Sequence, residues 1–280
     1  MYFAGVDIGS TMTKVVLIDK SNNLLATIKG PTGPEYRQLA NEVMWQALKQ
    51  AKLRIEDISY IVATGYGRLN VPFADCQITE LSCHAKGVSS LFPNVRTAID
   101  IGGQDAKCMK IDKGKLVSFV MNDKCAAGTG RFLEVTASAL DIRLEDMGDI
   151  SLNATKKIHI SNLCTVFAQQ EVVCLLSRGE KLENILAGLH DALASRVATL
   201  ARRLNIEPDV VLTGGVAKNT GMVRAMKESL GYEILVPDEP LITGALGAAI
   251  RAKEIYMNAM AVGEMLPKKT RRLEKATFFC

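Results

Sequence analysis

The sequence predicts an α/β protein made of two related halves. A strand, a glycine-containing turn and a second strand open the chain at residues 2–18. The same pattern recurs from residue 97, and a spaced internal repeat of this kind indicates duplicated structural units. Elsewhere, short apolar runs alternate with longer segments whose apolar residues recur at helical spacing, as is typical of α/β folds.

The first half begins with three predicted strands. Residues 2–6 and 15–18 are apolar and flank the turn IGSTMTK, and after a polar turn at 21–23 the segment LLATIK returns as the third strand. A helix is predicted from about residue 35 to 51 because its apolar residues keep helical register. SYIVATGYG is then a strand that runs into a glycine turn.

The opening of the second half matches the opening of the first. TAIDIGGQDAKCMKID aligns with AGVDIGSTMTKVVLID, and every matched pair lies 93 residues apart. Because the match extends through the second strand to its closing aspartate, chance is a poor explanation. The aligned pairs are Asp7 with Asp100, Gly9 with Gly102, and Asp19 with Asp112.

The rest of the second half is predicted to be mostly helical. DVVLTGGVAKN is a buried strand that leads into a glycine turn, and EILVP is a further strand. The glycine and alanine residues at the start of the last helix predict close packing across a domain boundary. One predicted helix directly follows the NDKCAAGTG segment. The later ones cover about residues 165–178, 182–204, 220 onward and 242–258.

Composition excludes several classes of protein. The chain has 280 residues, a net charge of +4 and 48% hydrophobic residues, but only 5% aromatic residues. Its one compact basic cluster, KKTRR at 268–272, predicts a solvated C-terminal segment rather than a nucleic-acid surface. No signal peptide is predicted at the N-terminus, and the apolar run ITGALGAAI is too short to span a bilayer. We therefore expect a cytoplasmic protein that binds neither nucleic acid nor membrane.

The first turn, DIGST, offers a site for a phosphate group. Gly9, Ser10 and Thr11 supply backbone amides and two hydroxyls, and Lys14 follows closely. Backbone amides in such turns bind anions. The arrangement is a cradle on a hairpin, unlike the strand-to-helix loop of a Walker sequence.

Asp7 and Asp100 hold equivalent positions in the two halves. If the halves face each other, both carboxylates point into one cleft, where they suit a Mg²⁺ ion that is held largely through water and bridges phosphate oxygens. The alternative is that each aspartate only caps its own turn. The duplication, together with the later glycine-rich TGGVAKN, favours the metal.

TGGV at 213–216 follows an apolar strand and precedes a helix. Gly214 and Gly215 allow a flat nucleoside to lie against the backbone, with Asn219 at the helix start. Such a turn also occurs purely for packing. Its position after the two DIG turns favours the nucleoside.

The cysteines fall into two groups. Seven cysteines without a predicted signal peptide argue against a disulfide framework. Cys125 and Cys164 each come just before a predicted helix, and Ser161 and Asn162 supply turn residues ahead of the second. The positive end of a helix dipole favours a thiolate, which suits nucleophilic or metal-binding use. Apart from the terminal Cys280, the others are predicted to be small buried hydrophobes: Cys76, Cys83, Cys108 and Cys174.

Two thiolates cannot complete a four-cysteine iron–sulfur or zinc site, and the chain contains no CxxC. A symmetric dimer would bring two copies of Cys125 and Cys164 around a two-fold axis, which makes four ligands. Incidental packing of each cysteine is the alternative, and the physics of the residues alone favours it.

The order of the motifs resembles the superfamily of acetate and sugar kinases, Hsp70 and actin. The resemblance implies two ribonuclease-H-like domains around an ATP cleft, residues 1–96 plus 243–280 and residues 97–242. It also implies a catalytic set of Asp7, Asp100 and Gln104. The residues that would hold the nucleotide are then Gly9, Ser10, Thr11 and Lys14 in the first turn, Gly102, Gly103 and Asp105 in the second, and Gly214, Gly215, Val216 and Asn219 at the adenosine.

Four segments together, NDKCAAGTGRFLEV, CTVFAQQEV, DIGGQDAK and TGGVAKN, resemble the ATP-dependent activators of 2-hydroxyacyl-CoA dehydratases. That family includes ATP-hydrolysing subunits of benzoyl-CoA reductases, and the resemblance runs from about Gly5 to Ala252. It implies a homodimer with one [4Fe–4S] cluster at the subunit interface, ligated by Cys125 and Cys164 of each chain. It further implies ATP-driven transfer of a low-potential electron from ferredoxin or flavodoxin to the dehydratase.

Three alternatives stay open: the ATPase subunit of a benzoyl-CoA-type reductase, a phosphotransferase of the same fold without a cluster, and a non-catalytic nucleotide-dependent regulator. The motifs do not specify the partner's acyl-CoA substrate, the electron donor or a role for residues 257–280. They also leave open whether residues 128–130 contact the nucleotide.

Overall fold

The computed structural model describes residues 1–161, 164–264, 266 and 271–273. Asn162, Cys280 and residues 268–270 of the basic cluster, about which the sequence made predictions, lie outside these described residues. Within the described part, no helix is long and apolar enough to cross a membrane. The chain divides into two compact units, Met1–Pro93 with Lys113–Leu116 and Leu241–Cys280, and Asn94–Asp112 with Val117–Pro240.

The first unit contains a five-stranded mixed sheet. Its elements are β1 (Tyr2–Ile8), β2 (Met12–Asp19), β3 (Leu24–Pro31), α1 (Tyr36–Ala51), β4 (Ile58–Thr64), β5 (Cys76–Gln77), α2 (Glu80–Leu91) and, from the end of the chain, the helix Thr243–Ala261. The strand order is β3-β2-β1-β4-β5, with β1 antiparallel to β2 and parallel to β4. Because strand side chains alternate between faces, Val6 packs with the apolar residues of α1 while Phe3 packs with those of Thr243–Ala261.

The second unit repeats this plan. Its elements are β6 (Thr97–Ile101), β7 (Ala106–Asp112), β8 (Lys115–Asn122), α3 (Gly130–Ala139), α4 (Met147–Leu152), α5 (Thr165–Ser177), α6 (Leu182–Ala201), β9 (Val210–Thr213), α7 (Thr220–Leu230) and β10 (Ile234–Leu235). The helix Thr243–Ala261, which belongs to the first unit, is the last helix in chain order and is called α8. The strand order is β10-β9-β6-β7-β8, with β6 antiparallel to β7 and parallel to β9.

The two sheets share one topology. Counted within its own unit, each sheet places its third, second, first, fourth and fifth strands side by side in that order. The predicted fold class, two mixed α/β units of one type, is confirmed. EILVP forms a shorter strand than predicted, Ile234–Leu235.

The small residues at the start of α8 allow the close packing that the sequence predicts, and this packing is found inside the first unit. A Cβ atom placed on Gly247 would lie 1.7 Å from the carbonyl oxygen of Cys83 in α2. A Cβ atom on Gly5 of β1 would lie 2.0 Å from the carbonyl oxygen of Ala245. The backbones of these elements therefore touch where side chains would otherwise separate them.

The C-terminal segment returns to the first unit at Arg271. Its guanidinium lies 2.5 Å from a carboxylate oxygen of Asp75, and the two side chains are only 7% and 5% exposed. The same oxygen of Asp75 accepts a hydrogen bond of 2.8 Å from the backbone N–H of Ile61 in β4. This buried ion pair attaches the segment to the sheet.

Candidate functional site

The first unit holds a carboxylate between a lysine and a glycine. Asp7, near the end of β1, lies opposite Lys14 of β2, and Lys14 Nζ is 3.1 Å from Asp7 Oδ2. On the other side β4 places Thr64 beside Asp7. Gly65 has a φ of +86°, and a Cβ there would lie 2.4 Å from Asp7 Oδ1. The turn residues that precede Lys14 are half-buried or exposed, which leaves them accessible to a ligand: Gly9, Ser10 and Thr11.

The second unit builds the same arrangement around Asp100. Lys107 of β7 lies opposite Asp100, with its Nζ 2.7 Å from Asp105 Oδ2 and 3.9 Å from Asp100 Oδ2. Thr213 Oγ1 donates a hydrogen bond of 3.1 Å to Asp100 Oδ1. Gly214 has a φ of +84°, and its Cβ would lie 2.7 Å from that same oxygen. Gly102, Gly103 and Gln104 form the half-buried to exposed tip of this turn.

Sequence reasoning missed part of this duplicated set. Lys14 was identified, but Lys107, which follows it by the same interval of 93 residues, was not. Thr64-Gly65 was also not matched with Thr213-Gly214. Both signals were present, since the fourth strand of each unit ends in a threonine that is followed by a glycine.

A helix end completes the surroundings of Asp7. A Cβ on Gly244, in the first turn of α8, would lie 2.9 Å from Asp7 Oδ2. Thr243 Oγ1, at the start of α8, is 3.2 Å from His84 Nε2. The positive end of the α8 dipole therefore faces the carboxylate. No sequence pattern indicates this contact between distant segments.

The predicted adenosine turn lies between β9 and α7. Gly214 N–H donates to the carbonyl oxygen of Pro240 at 3.1 Å, and Gly215 is exposed. Asn219 caps α7, because its Oδ1 accepts a hydrogen bond of 2.8 Å from Met222 N–H. The Nδ2 atom of Asn219 is buried and has no hydrogen-bond partner among the residues that the structure describes, and Val216 is buried.

The structure corrects the predicted start of the helix after Cys125. A short 3₁₀ turn, Ala126–Gly128, follows Cys125, and α3 begins only at Gly130. Thr129 separates the two because it is extended, with φ −140° and ψ 173°. Cys125 itself is half-buried and carries no disulfide.

Cys164 lies directly at the start of α5, as predicted. Its carbonyl oxygen accepts the hydrogen bond from Ala168 N–H at 3.0 Å, and its thiol is free and half-buried. The prediction for Cys174 was wrong. It is exposed, because α5 buries only Ala168 and Val172.

Two of the remaining cysteines are buried as predicted. Cys83 and Cys108 are fully buried, and burial raises the pKa of each thiol to about 12. Cys76 is only half-buried, since β5 is a two-residue strand at the edge of the sheet.

The family model of the BadF/BadG/BcrA/BcrD ATPase family matches residues 4–252. This chain belongs to that ATPase family. The predicted family and the ATP-hydrolysing activity that defines it are thereby confirmed.

Two dehydratase activators align with this ATPase family member over nearly their whole lengths. The 2-hydroxyisocaproyl-CoA dehydratase activator of Clostridioides difficile is 48% identical over 258 residues, 90% of this chain and 95% of that protein. The activator of lactoyl-CoA dehydratase of Anaerotignum propionicum is 49% identical over 257 residues, 91% of this chain and 98% of that protein. A solved structure of the activator of the 2-hydroxyisocaproyl-CoA dehydratase from Clostridium difficile with bound ADPNP has a TM-score of 0.88 and 44% identity, and covers 96% of this chain and 100% of that one.

In the part of this ATPase that the structure describes, no group of three or more histidine, cysteine, aspartate or glutamate side chains could hold a metal ion. The roles of the individual site residues stay predictions.

Proposed function

We propose that this chain is a homodimeric activator of a 2-hydroxyacyl-CoA dehydratase. It hydrolyses Mg²⁺-bound ATP and passes a low-potential electron from ferredoxin or flavodoxin to the dehydratase through one [4Fe–4S] cluster per dimer. One observation carries the proposal: the duplicated phosphate turns occur in the same chain as two free, half-buried thiols that each begin a helical segment.

The turns supply what a nucleotide triphosphate needs. Asp7 and Asp100 are carboxylates held in place by a neighbouring lysine and by a glycine that leaves no room for another side chain. Such carboxylates suit Mg²⁺, which prefers oxygen ligands and keeps several waters. The N–H groups of Gly9 and Gly102 donate within their own turns, to the carbonyl oxygens of Met12 and Asp105, so we assign the phosphates to the other amides of the two turns. We assign the adenosine to Gly214, Gly215, Val216 and Asn219, and the orientation of the attacking water to Gln104.

The thiols fit the donor chemistry of an iron–sulfur cluster. Cys125 and Cys164 are unpaired and half-buried, and the thiolate is the form that binds iron. When bound, the cluster supplies a one-electron couple of low potential. Because α5 begins right after Cys164, the positive end of its dipole would lie beside a cluster held by this thiol. Any movement of α5 would therefore change how easily an anionic cluster is reduced.

The surface of α5 supports a dimer. Val166, Phe167, Val173 and Leu176 are 56%, 62%, 46% and 42% exposed, although a helix of a monomer usually buries such side chains. A contiguous apolar surface marks an interaction site. We assign it to a second copy of this chain because Cys164 begins the same helix and a shared cluster requires a second pair of thiols.

Anaerobic reconstitution with iron and sulfide tests the cluster. We expect about four irons per dimer, visible absorption and an EPR signal after reduction. Both Cys125→Ala and Cys164→Ala should abolish loading and lower the fraction of dimer measured by light scattering. Cys174→Ala is the matched control, because this thiol lies on α5 but is assigned no ligand role. Full loading in either ligand variant would refute the cluster assignment.

Two alternatives make different predictions. A phosphotransferase of the same fold would transfer the γ-phosphate to a small acceptor and would work without iron. A benzoyl-CoA-type reductase subunit would load a cluster but would not activate a dehydratase. The high identity to two dehydratase activators supports our choice. The deciding assay mixes the loaded protein with ATP, a reduced donor and purified dehydratases; failure to activate any of them would favour the reductase.

A further inference from the structure

The glycine-rich segment after Cys125 resembles a phosphate loop, but its amides are already used. The four backbone N–H groups of residues 128–131 donate, in order, to the carbonyl oxygens of Cys125, Ala126, Gly102 and Gly103, at 3.3, 3.0, 2.8 and 2.9 Å. A turn binds phosphate through free amides. This segment therefore serves another purpose. Two of the four hydrogen bonds, those to Gly102 and Gly103, reach the turn at residues 102–105, here called the second phosphate turn.

Thr129 reinforces the link to that turn. Its hydroxyl lies 3.1 Å from the carbonyl oxygen of Gly103 and 3.0 Å from that of Ala126. Because Thr129 is fully buried, water cannot replace these bonds. A single side chain thus connects the tip of the turn that precedes Lys107 with the residue that follows Cys125.

Gly130 brings the backbones even closer together. A Cβ atom at this position would lie 2.9 Å from the carbonyl oxygen of Gly102, 3.1 Å from Val216 Cγ2 and 3.4 Å from Gly103 Cα. The second phosphate turn and the predicted adenosine turn therefore both contact the first residue of α3. A shift in either turn must move α3 or break this contact.

The other end of the segment is attached just as firmly. The carbonyl oxygen of Cys125 accepts hydrogen bonds from Gly128 N–H and, at 2.9 Å, from Asn122 Nδ2. Only one 3₁₀ turn, Ala126–Gly128, thus separates Cys125 from Thr129, and the N–H groups of Gly128 and Thr129 are both hydrogen-bonded within it. A displacement of the second phosphate turn has only this short, hydrogen-bonded segment to cross before it reaches Cys125.

We propose that residues 129–131, here called the brace, transmit the nucleotide state of the second phosphate turn to Cys125, with Thr129 as a positioning residue. The inference rests on the proposed function only in that the nucleotide binds at this turn. A nucleotide shifts the environment of Cys125 to the extent that it binds one arrangement of the brace more tightly than another. Because coupling between sites is reciprocal, modification of Cys125 changes nucleotide affinity by the same factor.

The test uses the full chain without its cluster. The rate of Cys125 alkylation by iodoacetamide is followed by mass spectrometry with and without Mg²⁺ and ADPNP, with the exposed Cys174 as internal reference. In the wild type we expect a change of about fivefold or more, the lower end of typical coupling factors. Thr129→Val, which keeps the shape but removes the hydroxyl, should reduce the change to less than about twofold, and Thr129→Ser should retain it.

Thr136→Val is the matched control. Thr136 is also fully buried in this unit and its hydroxyl donates to a backbone oxygen, that of Phe132 at 2.8 Å, but this bond stays within α3. In Thr136→Val, Mg²⁺ and ADPNP should change the rate of Cys125 alkylation by the same factor as in the wild type. If Thr129→Val fails to fold, Gly130→Ala provides the second variant, and it should decouple because of the contact with Gly102.

The outcomes separate the two proposals. Binding of ADPNP without any effect on Cys125, or full coupling in Thr129→Val and Gly130→Ala, would overturn the brace and leave the proposed function standing. Coupling in a chain that never assembles a cluster would support the brace and refute the proposed function. Absence of ADPNP binding would overturn both.

Discussion

Gly214→Ala tests a glycine that both adopts a positive φ and packs closely against Asp100. Gly214 has a φ of +84°, and its Cβ would lie 2.4 Å from the carbonyl oxygen of Ile101 and 2.7 Å from Asp100 Oδ1. With its ψ of 180°, Gly214 lies in a backbone region that is essentially restricted to glycine, where another residue costs about 1–3 kcal/mol. Overpacking against neighbours that cannot move freely adds about 1–3 kcal/mol. We therefore expect a loss of about 2–6 kcal/mol in the free energy of unfolding.

Gly231→Ala is a control for a positive φ without a steric contact. Gly231 ends α7 in the same unit in the left-handed region, with φ +78° and ψ 19°, and a Cβ there would have no atom of the described residues within 4 Å. This variant should lose only about 1–2 kcal/mol. The further loss in Gly214→Ala combines the contacts with Asp100 and Ile101 and the less permissive backbone region of Gly214.

Urea denaturation at unchanged m-value measures both losses, and calorimetric titration measures ADPNP affinity. Because the added methyl displaces the Asp100 carboxylate, Gly214→Ala should bind ADPNP at least about tenfold more weakly, a change of about 1.4 kcal/mol. Gly231→Ala should bind like the wild type. Equal destabilisation of the two variants, or unchanged ADPNP affinity in Gly214→Ala, would refute the reasoning.

Three further predictions address other parts of the molecule. Asp75→Asn leaves the buried Arg271 guanidinium without its counter-charge and should cost about 3–5 kcal/mol, measured by urea denaturation. His190 is 1% exposed, and burial lowers its pKa to about 4. The apo-protein should therefore keep its full stability above about pH 6.5 and lose up to about 3 kcal/mol as the pH falls to about 4, because only the unfolded state gains the proton. Cys83 and Cys108, whose pKa values are raised to about 12 by burial, should resist iodoacetamide at pH 8 in the native protein when peptides are analysed by mass spectrometry.

Each of these predictions has an internal control. Asp146→Asn breaks an ion pair with Arg143, whose side chain is 78% exposed, and should leave the denaturation midpoint unchanged. A His190→Asn variant should lose the acid-side slope, and persistence of that slope would assign it to other groups. Cys174 should be alkylated in the native state, and labelling of Cys83 as fast as Cys174 would contradict the burial argument.

The sequence by itself determined the duplicated hairpins. Two-residue periodicity and matching turns specify strands, and an unbroken interval from Asp7 and Asp100 to the closing aspartates specifies the same register in both units. The same pattern could have identified Lys107. Local signals also placed Cys164 at a helix start, because the polar turn before it and the apolar run after it are adjacent in the chain.

Only the tertiary structure decided how the cysteine segment is used. NDKCAAGTGR has the composition of a phosphate loop, yet its amides at Gly130 and Arg131 bond to the carbonyls of Gly102 and Gly103. Nothing in local periodicity specifies a hydrogen bond between segments so far apart along the chain. The exposure of Cys174 could not be predicted for a related reason. Because α5 is apolar on most of its surface, its sequence does not distinguish the face that packs on its own unit from the face that stays exposed.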